Sequence, residues 1–272
     1  MDNIISLFEY QFFQNALIAA FLTSILAAMV GTYIVSRKIV FISGGITHAS
    51  FGGIGMAYYF GLNPFLGAVV FAIAASLGIE WISTRGKIRE DSAIAILWSL
   101  GMALGIIFVF LTPGYTPNLM SFLFGSILSV GVLDICVLTG MLIFTVAFFA
   151  LFFRPVVYTA FDPEFAKTRG LPVVFIRYVM AVLIALAIVL SIRTMGIILV
   201  LSLFTIPQNT AFLFTGKFRK LIFGSGLFGA AGSFLGLLAA SWFDIPGSAA
   251  IIFVLTIQFL LMRGIVLCQK RK

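Results

Sequence analysis

Nine apolar runs, near 12–35, 46–60, 64–83, 92–111, 132–153, 173–192, 195–214, 220–242 and 247–267, make up most of this chain. Charges or Pro and Gly turns bound each of them. Most approach the roughly 20 residues that a helix needs to cross a bilayer. The runs are continuous rather than alternating, so helices and not barrel strands are the expected spanning element. A soluble core cannot absorb a chain that is 62% hydrophobic and only 10% charged. No soluble insert is long enough to fold by itself. The expected fold is therefore all-α: a polytopic transmembrane helical bundle of about nine spans, with residues 1–272 as one membrane domain. The run at 46–60 is short. Segment 115–131 is an extra apolar piece that reads as re-entrant or interfacial.

Charge fixes the expected orientation. Sixteen of the 17 Lys and Arg residues fall in one set of alternate loops, and Arg193 is the exception. The positive-inside rule makes that set cytoplasmic, with the N-terminus outside and the C-terminus inside. The net charge of +8 is thus a topology signal. No patch mixes basic and aromatic residues in a soluble region, so nucleic acid is not an expected partner. The N-terminal MDNIISLFEYQFFQ is acidic, and no cleavage-site pattern follows it, so no cleavable leader is expected. Cys136 and Cys268 lie far apart in apolar context and read as inert thiols.

Polar groups inside spans are costly and so are functional candidates. His48, the single histidine, sits in GGITHASFGG. At helical spacing, Gly45, Ala49 and Gly53 form a small-residue stripe for close helix packing, with His48 at its edge. The imidazole then faces protein, either bonded across an interface or lining a permeation path. Asp134, near the outer end of a span, reads equally as a vestibule residue or a helix cap. Gln208 and Asn209 follow Pro207 in mid-span; they either satisfy the carbonyl that proline frees or line the path. Glu80 is expected to pair with a basic residue, Arg85, Lys87 and Arg89 being close in sequence. Asp244, in DIPG, reads as turn chemistry.

The longest cytoplasmic loop, 154–177, differs from the others. Asp162 and Pro163 read as the N-cap and first position of a short helix, about 163–169, which Gly170 and Pro172 stop. With Phe161 and Phe165 exposed beside it, this segment reads as a docking element for a cytoplasmic partner.

Four stretches, in order, carry a resemblance. SRKIVFISGGITHASFGG (36–53), LFGSILSVGVLD (123–134), YTAFDPEFAKTRGLP (158–172) and MGIILVLSLFTIPQNTAFLF (195–214) resemble the permeases of bacterial ABC importers for zinc, manganese and iron. The resemblance runs through nearly the whole chain. It implies a bacterial plasma (inner) membrane protein that pairs with a second copy of itself. It further implies cytoplasmic ATPase subunits as partners, together with an extracellular or periplasmic metal-binding protein. Phe161, Asp162, Pro163, Glu164, Ala166 and Gly170 would then couple to the ATPase. His48, Asp134, Gln208 and Asn209 would lie along the substrate path, with His48 a transient metal ligand. The sequence departs from the family in three places. Gly44 stands where many relatives have an aspartate four residues before the histidine. Gly52-Gly53 stands for Pro-Gly, and Gln208-Asn209 for small residues. A station without that carboxylate favours zinc slightly over manganese.

Missing motifs narrow the classes. No GxxxxGK[ST] loop is present, so ATP is expected to be hydrolysed by a partner and not by this chain. Neither HExxH nor a Cys/His cluster appears, so no permanently bound cofactor or tight metal site is expected; the metal is cargo. The alternatives are a permease for a metal chelate (siderophore) or cobalamin, and an ion-coupled secondary carrier. The carrier would need buried carboxylates that the mid-span regions almost entirely lack.

Overall fold

The structure is a computed structural model in which residues 9–86, 88–113 and 127–270 are described. The helices are α1 Gln11–Ser36, α2 Phe41–Tyr59, α3 Pro64–Arg85, α4 Glu90–Leu111, α5 Val132–Phe161 and α6 Pro163–Thr168, followed by α7 Val173–Met195, α8 Ile197–Leu203, α9 Ile206–Phe212, α10 Phe218–Phe243 and α11 Gly247–Lys270. A single 3₁₀ turn, Ile127–Ser129, precedes α5. It is the only described part of the expected 115–131 element apart from Val130 and Gly131; the rest lies outside the described residues.

Among the described residues, seven helices are long and apolar enough to cross a membrane: α1, α3, α4, α5, α7, α10 and α11. The 46–60 run becomes α2, which is full length but carries Ser43, Thr47, His48, Ser50 and five glycines. The 195–214 run is broken in two as α8 and α9. The helix that holds the 132–153 run is longer than the run. α5 continues to Phe161 across a kink at Phe152 (φ −113°, ψ 24°). Pro155, three residues on, supplies no N–H to the carbonyl of Leu151 and crowds it.

The most buried spans are α1 and α7; α4 and α11 are the most exposed. Large side chains that pack in the centre include Leu26, Tyr33, Ile34, Met180, Leu183 and Ile184. A bilayer offers hydroxyls no water, so they bond to their own helix. Ser24, Thr32, Thr145 and Ser191 donate to the carbonyl four residues back at 2.7, 2.6, 2.8 and 2.6 Å. Ser76 instead crosses from α3 to the Ala181 carbonyl of α7 at 2.6 Å.

Charge and geometry alternate along the chain. Arg37, Arg85, Arg89, α6 and the Lys217–Lys220 turn lie at one set of helix ends, while Gly61, Gly196 and Asp244 lie at the alternate set. Gly196 (φ 77°, ψ 161°) is the single residue between α7 and α8. That conformation is essentially closed to residues with a Cβ.

Candidate functional site

α2 packs most extensively on α4 and next on α3. Glycine sets how close they come. A Cβ placed on Gly52 would lie 2.8 Å from the Gly101 carbonyl oxygen, and one on Gly55 would lie 2.6 Å from that of Gly105. No side chain fits at either point, so the backbones themselves touch. The expected stripe is distributed over two neighbours: Gly45 faces Ile94, Ala49 faces Gly101, and Gly53 faces the Gly67 carbonyl of α3.

This seam places His48 against Trp98 of α4. Their rings stack with centroids 4.6 Å apart and planes 7° apart. Both side chains are half-buried. The indole also bounds Gly44, where a Cβ would come within 3.3 Å of Trp98 Cζ3 and 3.2 Å of Leu201 Cδ1. A carboxylate side chain at position 44 would therefore meet a tight neighbourhood. Trp98 was not foreseen as a site residue. One aromatic in an apolar run carries no signal until the register of α2 on α4 is known.

Pro207 and the residues after it resolve into backbone chemistry. Pro207 has no N–H for the Leu203 carbonyl, its normal helical acceptor. The Gln208 amide donates to that carbonyl at 3.1 Å and to Ala27 O of α1 at 2.7 Å. Gln208 is 1% exposed, and among the described residues its Oε1 has no hydrogen-bond partner. Asn209 Nδ2 donates to Thr205 O at 2.8 Å. Of the two sequence readings, the geometry supports carbonyl satisfaction for Gln208, which also ties α9 to α1, whereas Asn209 bonds a carbonyl that its own N–H already reaches. Asp134 likewise does a cap's work. Its Oδ2 accepts from the Gly131 N–H at 3.1 Å, and its Oδ1 lies 2.8 Å from Arg193 Nε. The one basic residue on the sparsely charged side is thus ion-paired, and it also lies 5.0 Å from the centre of the Phe65 ring.

Glu80 does pair with basic residues, but with Arg37 and Arg177 and not with the arginines near it in sequence. Arg37 Nη2 lies 3.0 Å from Glu80 Oε2 and also contacts Glu90 Oε1. Arg177 Nη2 lies 2.7 Å from Glu90 Oε1, and its Nε meets Glu80 Oε1. Thr84 Oγ1 donates to Glu80 Oε1 at 3.2 Å. Two guanidiniums and two carboxylates from α3, α4, α7 and the end of α1 thus neutralise one another, and Glu80 is 4% exposed. Removing one member of such a buried set leaves an uncompensated charge and costs about 3–5 kcal/mol. The sequence signal lay in the acids: Glu80 and Glu90 flank a turn that otherwise holds only basic charge.

Across the same end of the bundle, α6 forms almost as expected. Asp162 Oδ1 accepts from the Phe165 N–H at 2.9 Å. Pro163 is the first helical residue, and Glu164 pairs with Lys167 at 2.7 Å. Gly170 (φ 70°) closes the helix; its N–H donates to Lys167 O and that of Leu171 to Ala166 O, at 2.9 and 3.1 Å. This is a Schellman motif. Ala166 is fully buried, whereas Phe161 and Phe165 are 50% and 41% exposed. The helix is pinned through alanine and shows its aromatics outward.

A sequence model described as the ABC 3 transport family matches residues 9–265. The chain belongs to this family. Among ABC 3 relatives, the manganese transport system membrane protein MntC of Listeria monocytogenes is 34% identical over 272 residues, covering 98% of this chain and 97% of its own. The manganese import system permease protein ScaB of Streptococcus gordonii is 33% identical over 259 residues, covering 95% and 93%. A solved structure described as PsaBC from Streptococcus pneumoniae in complex with Fab superposes with a TM-score of 0.82 at 33% identity, covering 96% and 94%. An inward-facing conformation of a putative metal-chelate type ABC transporter, at 16% identity and TM-score 0.74, shares the fold. Among the described residues, no three of His, Cys, Asp and Glu gather at one point.

Proposed function

We propose that this ABC 3 chain is the membrane-spanning subunit of an ATP-driven importer of a divalent transition-metal ion. Two copies enclose the path, an ATPase docks on α6 from the cytoplasm, and a binding protein delivers the ion outside. The N-terminus is outside and the C-terminus inside the plasma membrane. Family membership and the manganese named for the relatives support the cargo class.

One observation carries the site: the single imidazole lies on α2, half-buried, stacked on Trp98 and outside every ion pair described. Neutral imidazole is an exchangeable ligand for manganese, iron or zinc. A ligand that holds weakly suits a path that must release its cargo, since alternating access needs a station and not a trap. In vesicles containing the ATPase, His48→Ala cuts metal uptake strongly while leaving insertion and ATPase binding near normal. His48→Gln does not restore uptake. Wild-type uptake by the alanine variant would remove His48 from the path. Comparing manganese, zinc and ferrous iron in the same vesicles settles the ion.

A further inference from the structure

Arg177 stands between the docking helix and the histidine. On one side of it, the junction from α6 to α7 has no loose link. The N–H groups of Arg169, Gly170 and Leu171 donate back into α6 at 3.2, 2.9 and 3.1 Å. Pro172 has none to offer, and the Val173 N–H donates to Leu171 O at 2.8 Å. Ala166, Val173 and Ile176 are buried beneath this turn. α6 and the first turn of α7 therefore form one stiff body, and Arg177 projects from it.

On the other side are two carboxylates. Glu90 is the first residue of α4, and Glu80 lies near the end of α3. The side chains of Arg177 and Glu80 are 17% and 5% exposed. The Glu90 side chain is 29% exposed, but Glu80 is not, and a buried guanidinium cannot draw away from the Glu80 carboxylate without stranding its charge. The contact therefore passes motion on and does not absorb it. Glu90 is eight residues before Trp98, about 12 Å along α4 at the helical rise. α4 in turn meets α2 backbone to backbone at Gly101 and Gly105.

We infer that Arg177 is the positioning residue through which α6 acts on the α2–α4 pair and so on His48. The link is a chain of physical contacts: α6, the bonded turn, Arg177, Glu90, α4, Trp98, His48. It rests on the reading that α6 docks the ATPase and His48 lines the path. Arg37 provides the control. It holds the same two carboxylates, but from the end of α1, a helix not joined in sequence to α6.

The test uses the complete transporter in liposomes, with metal uptake and ATP hydrolysis measured side by side. Arg177→Gln keeps hydrolysis but lowers ions moved per ATP by about fivefold or more. Arg177→Lys, which keeps the charge but not the two-sided fork, gives an intermediate ratio. Arg37→Gln lowers the thermal midpoint and leaves the ratio alone. An unchanged ratio in Arg177→Gln, or an equal fall in Arg37→Gln, overturns the inference. If Arg177→Gln fails to assemble, Arg177→Lys decides alone, and a wild-type ratio there is equally fatal. Glu164→Arg and His48→Ala keep the two failures apart. If both leave uptake unchanged, the underlying reading fails. If both impair it while the Arg177 variants do not, only this inference fails.

Discussion

The imidazole of His48 lies flat on the indole of Trp98, 4.6 Å between centroids and 7° between planes. One face of the imidazole is thereby covered, and its tilt is fixed by a residue of another helix. An aromatic pair of this kind contributes about 0.5–1.5 kcal/mol beyond area burial. Trp98→Ala is expected to lower metal uptake in vesicles, less than His48→Ala does, with ATPase binding unchanged. Trp98→Phe keeps most of the activity. Full activity in Trp98→Ala would mean that the imidazole needs no such support.

Gly55→Ala directs a methyl group at the Gly105 carbonyl from 2.6 Å. Backbone cannot yield as a side-chain tip can, so α2 and α4 must separate, at a cost of about 1–3 kcal/mol. The thermal midpoint in detergent is expected to fall. Gly140→Ala is the matched control. No described residue lies within 4 Å of its added Cβ, and alanine gains helix propensity, so the midpoint holds or rises slightly.

Asp162→Ala removes the side-chain cap of α6, worth about 1 kcal/mol. Gly170→Val forces a β-branched residue to a φ of 70°. Neither position carries the bundle, so both variants insert normally. Each is expected to co-purify with less ATPase than wild type. Equal recovery of the complex in both would separate α6 from docking.

Orientation is checked in a chain with Cys136 and Cys268 replaced by serine. An impermeant thiol reagent applied outside is expected to label Leu62→Cys, at the 65% exposed α2–α3 turn, and to spare Lys217→Cys. The reverse pattern inverts the bundle.

Eight of the nine apolar runs became single helices, and 195–214 became two short ones, because run length and bounding charges are local properties. Capping at Asp162 and Gly170 was legible for the same reason: the acceptor is three residues from its donor. What could not be read was partnership across the bundle. Glu80 has Arg85 five residues away yet meets Arg37 and Arg177, which helix packing brings in from 43 and 97 positions along the chain. His48 stood out as a lone ionisable group, but its partner Trp98 resembled any other aromatic in a span. Gln208 kept two readings open until the broken helix showed which carbonyls its amide reaches.

The glycine seam between α2 and α4 has a mechanical consequence. Helices that mesh through interlocked leucines must lift apart before they can shift. At Gly52–Gly101 and Gly55–Gly105 the contact is backbone on backbone, with the Phe51 ring seated against Gly105 beside it. The chain therefore has a plain bearing beside its histidine and a pinned joint at its charge cluster. On the inference that α6 acts through Arg177, a small turn at the pin would emerge as a slide along the bearing.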